Sequence, residues 1–347
     1  MGTLPQCNRL ITSLTDETAY GTATADGALT TMYHLVDPAL SEPSMDVIDD
    51  TDLIKGHEFL SDPNAYKILF TNQRLSLSNI PANAEFLGWL LARAMGNVAS
   101  AEIPTASGDF VHTNKVLDKC AVGDQLPSAT ITIGWSGTVA VNRTYKGCII
   151  ESFTIRINQK GRVIVDCVIV TDGSEVSGAG VTIPAAFAST SFYFGFDALL
   201  KYADFGVGLV DNTTKLRGFE LTYNNNLLID EAKDKTFATQ ATLPELRLGD
   251  RTIEASLTIL GDETDDEYVD GLATQRKLVE VTVGGVTLPG SNAADLVILI
   301  PQAQWQVTGK GFDGSRRTIT LAHKMYLDAT EGTPLKIDVT NDDTVTL

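Results

Sequence analysis

Cysteine, histidine and tryptophan are scarce in this chain, basic residues are outnumbered, and long apolar runs are missing. Among 347 residues there are only four cysteines and four histidines. Cys7, Cys120, Cys148 and Cys167 are scattered with no C-x-x-C pair, which excludes a zinc ribbon or a thioredoxin-type motif. They read as reduced cytosolic thiols, with Cys167 expected to be a buried small hydrophobe. His34, His57, His112 and His323 lack the spacing of metal ligands. No glycine-rich phosphate loop follows a strand, and neither H-E-x-x-H nor G-x-S-x-G occurs. No apolar run approaches the ~20 residues of a membrane span. The start, Met1-Gly-Thr-Leu-Pro-Gln-Cys7, lacks the basic and apolar segments of a secretory leader. Lys and Arg total 26 against 44 Asp and Glu, a net charge of −18. Phosphate contacts need clustered cations, so binding to nucleic acid by charge attraction is excluded, and no membrane binding is expected.

The carboxylates themselves offer no selected site. Asp49, Asp50 and Asp52 lack the alternating pattern of a calcium loop. Asp262-Glu-Thr-Asp-Asp-Glu267 reads as a solvated acidic loop at a helix start. A carboxylate pair for glycoside hydrolysis is available in any acidic β protein, and nothing here singles one out. Trp135 and Trp305 follow the expected strands 130–133 and 296–300, which suits core packing better than ligand stacking. The sequence therefore assigns no catalytic, cofactor-binding or metal-ligating residue. No cofactor is expected, and the chain is not read as an enzyme.

What is present is alternation with a period of two. In 149–157 one face holds Ile149, Glu151, Phe153, Ile155 and Ile157, and the other holds Ser152, Thr154 and Arg156. Asn158-Gln-Lys-Gly161 turns the chain, and 162–170 returns. Strands are also expected at 75–77, 130–133, 216–223, 252–260, 277–283, 295–300, 316–321 and 335–339. Helical signals are few. Phe86, Leu87, Leu90, Leu91 and Ala94 make an apolar stripe over 83–95, with Asn83 placed to cap it and Gly96 to end it. A weaker helix is expected over 265–276. Two loop-like stretches stand out: the acidic 42–65 and the Gly/Ser/Ala/Thr-rich 171–190. The fold class is mainly β, or a β-rich α+β.

A unit recurs. Leu75-Ser-Leu77, followed by a polar loop, Glu85, Phe86 and Leu90, matches Leu257-Thr-Ile259, a polar loop, Glu267, Tyr268 and Leu272 without a gap. Strand, loop and helix appearing twice predict a tandem duplication. The expected division is 1–144, carrying the acidic insertion 42–65, and 145–347.

Several stretches then form an ordered set. They are Glu17-Thr-Ala-Tyr20-Gly21-Thr22-Ala23, then E-F-L-G-W-L-L-A-R-A-M-G from Glu85 to Gly96, then Leu126-Pro127-Ser128-Ala129-Thr130. Tyr145-Lys-Gly147 with Ser152-Phe153-Thr-Ile155 and Gly161-Arg-Val163 follow, and Leu299-Ile300-Pro301 ends the series. In this order they resemble the major tail tube proteins of tailed bacteriophages, in the larger-subunit group, across nearly the whole chain. The stretches 42–65 and 176–190 depart from that pattern.

The resemblance implies a β-sandwich or barrel flanked by a helix. It implies a structural subunit of the virion tail, made and assembled in the host cytoplasm, that self-assembles into stacked rings. Its implied partners are further copies of itself, a tape-measure protein, a tail terminator and baseplate or tail-tip proteins. A ring would take three chains if the fold is duplicated and six otherwise. Viral DNA would pass through the lumen without specific binding, which the acidic balance suits, because like charges repel over ~8–10 Å in physiological salt. The alternatives are a capsid decoration or baseplate β-sandwich protein, and a glycan-binding or carbohydrate-active β-sandwich. The latter would need clustered exposed aromatics, and aromatic content is only 7%.

Overall fold

The computed structural model describes residues 8–342 except 36, 41–43, 50–65, 73, 97, 104–107, 117–124, 136–140, 174, 178–180, 185–191, 230–245 and 262–265. Cys7, Cys120, His57, Asp50 and Asp52 lie outside the described residues, as do most of the acidic stretch and much of the Gly/Ser-rich one.

The first half of the chain contributes β1 (Asn8–Thr12), β2 (Thr31–Leu35), β3 (Asp37–Leu40), β4 (Ser44–Asp49), β5 (Tyr66–Asn72) and β6 (Arg74–Pro81). Helix α1 (Ala84–Met95) follows, then β7 (Val98–Glu102), β8 (Phe110–Lys115), β9 (Ala129–Trp135), β10 (Val141–Asn158), β11 (Ile164–Val170) and β12 (Glu175–Ser177). The second half contributes β13 (Ala198–Asp204), β14 (Val210–Asp211), β15 (Leu216–Asn224), β16 (Thr252–Leu260), α2 (Asp266–Leu272), β17 (Arg276–Val283), β18 (Leu296–Asp313), β19 (Arg316–Met325) and β20 (Lys336–Asn341). The fold is mainly β, and the pairings given for these strands are antiparallel.

Two long strands organise the sheets. β10 pairs with β9 and β12 through its first part, and with β11 through its second part. β18 pairs with β17 and β20 through its first part, and with β19 through its second. Further out, β9 pairs with β1 and β1 with β2, while β17 pairs with β13 and β13 with β14. β11 pairs with β6 and β6 with β3, while β19 pairs with β16 and β16 with β15. The two pairing patterns are the same. One irregularity coincides too: β10 slips against β11 between Ile150 and Ser152, and β18 slips against β19 between Val307 and Gly309. Two ladders join the halves, Ser152–Asn158 of β10 against Gly218–Asn224 of β15, and Lys336–Asn341 of β20 against Phe110–Lys115 of β8. A single run of neighbours results, β3-β6-β11-β10-β15-β16-β19-β18, open at both ends among the described residues.

The slip at Glu151 corrects the expected face of 149–157. A bulge adds one residue and inverts the alternation before it. Ile150, rather than Glu151, therefore joins Phe153 and Ile155 in the main core, and Ile149 packs in a smaller cluster. Glu151 is half-buried and meets Arg74 at 2.7 Å. The strand expected at 295–300 runs on to Asp313, so Trp305 lies within a strand rather than after it. Pro301 is tolerated because β18 slips against β17 just there, where no ladder N–H is needed. Helix α2 is shorter than expected, since Arg276 already opens β17. The expected division at 144/145 falls inside β10.

Helix α1 forms as the stripe predicts. Asn83 Oδ1 accepts from the Phe86 N–H at 2.8 Å, and Gly96 ends the helix at φ 67°. The helix is buried all round, beyond its stripe. It packs on β10 and is roofed by β8 and β20, the last strand of the second half.

Candidate assembly interface

Three motifs quoted from the sequence meet at one carboxylate. Glu17 accepts from the Gly21 N–H at 3.0 Å, Ser128 Oγ at 2.7 Å, Thr130 Oγ1 at 2.7 Å and the Gly147 N–H at 3.0 Å. It ties the turn before β2, the entry to β9 and the irregular middle of β10. Gly147 sits at φ 60°, and a Cβ there would lie 2.8 Å from Asp172 Cβ, so glycine is needed on both counts. Spacing alone gave no sign that these segments share a partner.

A second polar tie holds α1. Arg93 is fully buried, 2.7 Å from Asp16, and donates to Leu14 O at 3.1 Å while lying over Trp89. Burial lowers the pKa of Arg93 and raises that of Asp16, the ordinary effect of removing water from a charge pair.

The junction between the halves adds side-chain ties to the β10–β15 ladder. Asn225, just past β15, donates to Ala94 O near the end of α1 and to Ile150 O, each at 2.9 Å. Asn341, ending β20, donates to Ala84 O at 3.5 Å. Both ends of α1 are thus tied by residues of the second half.

The sheet run has an apolar face under the helices and a polar face. The polar face carries Thr154 against Thr222 at 3.1 Å and Thr258 against Thr320 at 3.4 Å. Arg156 pairs with Asp166 and Arg74 with Glu151, so charge on this face is partly neutralised in place. Glu220 and Glu254 also lie on it, with Lys324 at the β19 end. The face is mixed and rich in hydroxyls rather than strongly acidic.

The two ends of the run differ from its middle. β18 keeps β17 beside it as far as Gln304, the Trp305 N–H donates to Gln275 O at 3.0 Å, and beyond that β18 has only β19, so one edge of 306–313 is open among the described residues. At the other end β3 pairs with β6 alone among the described residues.

Other residues noted in the sequence are buried. His112 is buried between Ser100 Oγ at 2.8 Å and Asn341 Oδ1 at 2.7 Å. His323 is buried against Trp305, with its Nδ1 3.3 Å from Ala255 O, and burial pushes its pKa down to about 4. Cys148 and Cys167 are buried free thiols, the latter as expected. Glu267, expected in a solvated loop, is buried and accepts from Tyr202 at 2.5 Å and from Lys215. Trp305 is fully buried, edge-on to Tyr202. Among the described residues no group of three or more His, Cys, Asp and Glu is gathered to hold a metal.

No curated protein matches the chain. A family model described as phage tail tube protein matches residues 8–321, nearly the whole length. That span includes the Glu17 hub, α1, both long strands and the β10–β15 ladder, and the chain belongs to the phage tail tube protein family.

Proposed function

We propose that this chain is the repeating subunit of a tail tube, a structural protein without enzymatic activity. Its copies close into rings, and the rings stack into the conduit for DNA delivery. One observation carries the reading. The two halves share one pairing pattern, are joined edge to edge through β10 and β15, and leave comparable edges open at β18 and β3. A join made once inside the chain can be made again between chains. A head-to-tail contact of this kind closes into a ring when the rotation permits, and closure removes the exposed sheet edges that invite aggregation.

In this reading the halves are tandem copies of one tube domain. The proposed boundary follows β12, near residue 190, because β10, β11 and β12 match β18, β19 and β20. Three chains then supply six domains. Covalent fusion of two domains reduces the association entropy lost on ring formation. The run β3 to β18 forms the inner wall, with its hydroxyl-rich face toward the lumen. Charges paired in place leave few free cations to grip phosphates, so DNA passes without specific binding. Assembly occurs in the host cytoplasm, with tape-measure, terminator and baseplate or tail-tip proteins as partners. Electron microscopy of purified, concentrated protein tests the reading: threefold rings or hollow tubes are expected. A protein that remains monomeric and is absent from its virion's tail refutes it.

A further inference from the structure

The duplicated halves differ sharply in how one face is covered. In the ungapped match of the two strand–loop–helix units, Leu87 and Leu90 of α1 correspond to Val269 and Leu272 of α2. Leu87 and Leu90 are 0% exposed, whereas Val269 and Leu272 are 56% and 61% exposed. The long strands repeat the contrast. Phe153 pairs with Cys167, and Cys167 with Leu77. Lys310 pairs with Ile319, and Ile319 with Ile259. Phe153 therefore corresponds to Lys310, and Ile155, two residues on, to Phe312. Ile155 is 0% exposed and Phe312 is 78% exposed.

In the first half this face is closed by the second: β15 lies along β10, and β20 roofs α1. In the second half α2 packs on β18, and no strand lies beyond 306–313 among the described residues. We infer that Val269, Leu272 and Phe312 form the apolar centre of a contact with the first half of a second copy of this chain. This rests on the tail-tube reading and specifies the surface that it uses.

One relation selects that occupant: the open edge of β18 continues the same sheet as the β10–β15 junction, and the strand corresponding to β15 is β3. Lys310 lies 3.7 Å from the centre of the Tyr268 ring, which keeps a cation at the rim of the apolar patch.

The test compares the variant Val269→Asp/Leu272→Asp with a control, Leu327→Asp, whose site is 63% exposed and lies outside this face. The double variant is expected to keep the wild-type circular dichroism and melting curve. It should need at least about a hundredfold more protein to assemble, while the control assembles normally. Tubes formed by the double variant at wild-type concentration overturn this inference and leave the tail-tube reading standing. Wild-type protein that never assembles and is absent from the virion tail overturns both. If the double variant does not fold, hydrogen exchange of wild-type tubes against monomer decides. Slowed exchange at 266–273 and 306–313 supports the contact, and unchanged exchange refutes it.

Discussion

At the scale of single residues, Glu17 ties three separate parts of the chain. Four donors from three segments converge on its carboxylate. Hydrogen bonds to a charged group contribute about 1.5–3 kcal/mol each, and their loss is only partly offset by water at a half-buried site. Glu17→Ala is expected to cost about 2–3 kcal/mol in urea unfolding, and a change below about 0.5 kcal/mol would mean that the hub is not cohesive. His323 gives a pH signature. Its pKa is about 4 in the fold against 6.5 in the ordinary state. Between those values the unfolded chain binds the extra proton, so stability falls as pH drops from about 6.5 to 4 and is fully present above. The loss amounts to about 3 kcal/mol. His323→Leu should flatten this part of the stability–pH curve relative to wild type, and an identical curve would contradict the assignment. Neither role was legible from sequence. Glu17 belonged to a motif, but three of its four partners, Ser128, Thr130 and Gly147, lie more than a hundred residues away. His323 was noted only for lacking metal spacing.

At the scale of elements, local pattern served best where polar and apolar residues divide cleanly between faces. β16 alternates as read, and α1 begins and ends on the expected cap residues. Leu90 is fully buried there, so Leu90→Ala should cost roughly 2–5 kcal/mol, measured by thermal or urea unfolding. A loss under about 0.5 kcal/mol would place that residue against solvent. Strand β8 escaped notice because its inward residues are His112 and Asn114, which bond to partners rather than pack as apolar groups. Its buried face therefore looks polar in sequence. β18 was cut short at Pro301, because a proline normally ends a central strand and the slip that accommodates it depends on β17. The bulge at Glu151 is likewise a property of the β10–β11 pair. The exposed residues of α2 were within reach of the sequence, since the match of Leu90 to Leu272 was visible; what sequence could not supply was the roof that β8 and β20 make over α1.

At the scale of the whole molecule, the net charge of −18 is not concentrated on the polar face of the sheet run. Glu220 and Glu254 share that face with Arg74, Arg156 and Lys324, and two of those cations are paired. If this face lines the lumen, Glu220→Lys/Glu254→Lys should leave tubes intact and slow DNA ejection, more so at low salt, where screening is weaker. Ejection at the wild-type rate would separate wall charge from transit. If the join made inside the chain is repeated between chains, an electron cryomicroscopy map of the assembled tube is expected to show rings of three chains with near-sixfold walls, the open edge of 306–313 lying along the β3 side of the neighbouring copy. Rings of six chains, or an edge of β18 left facing solvent, would contradict it.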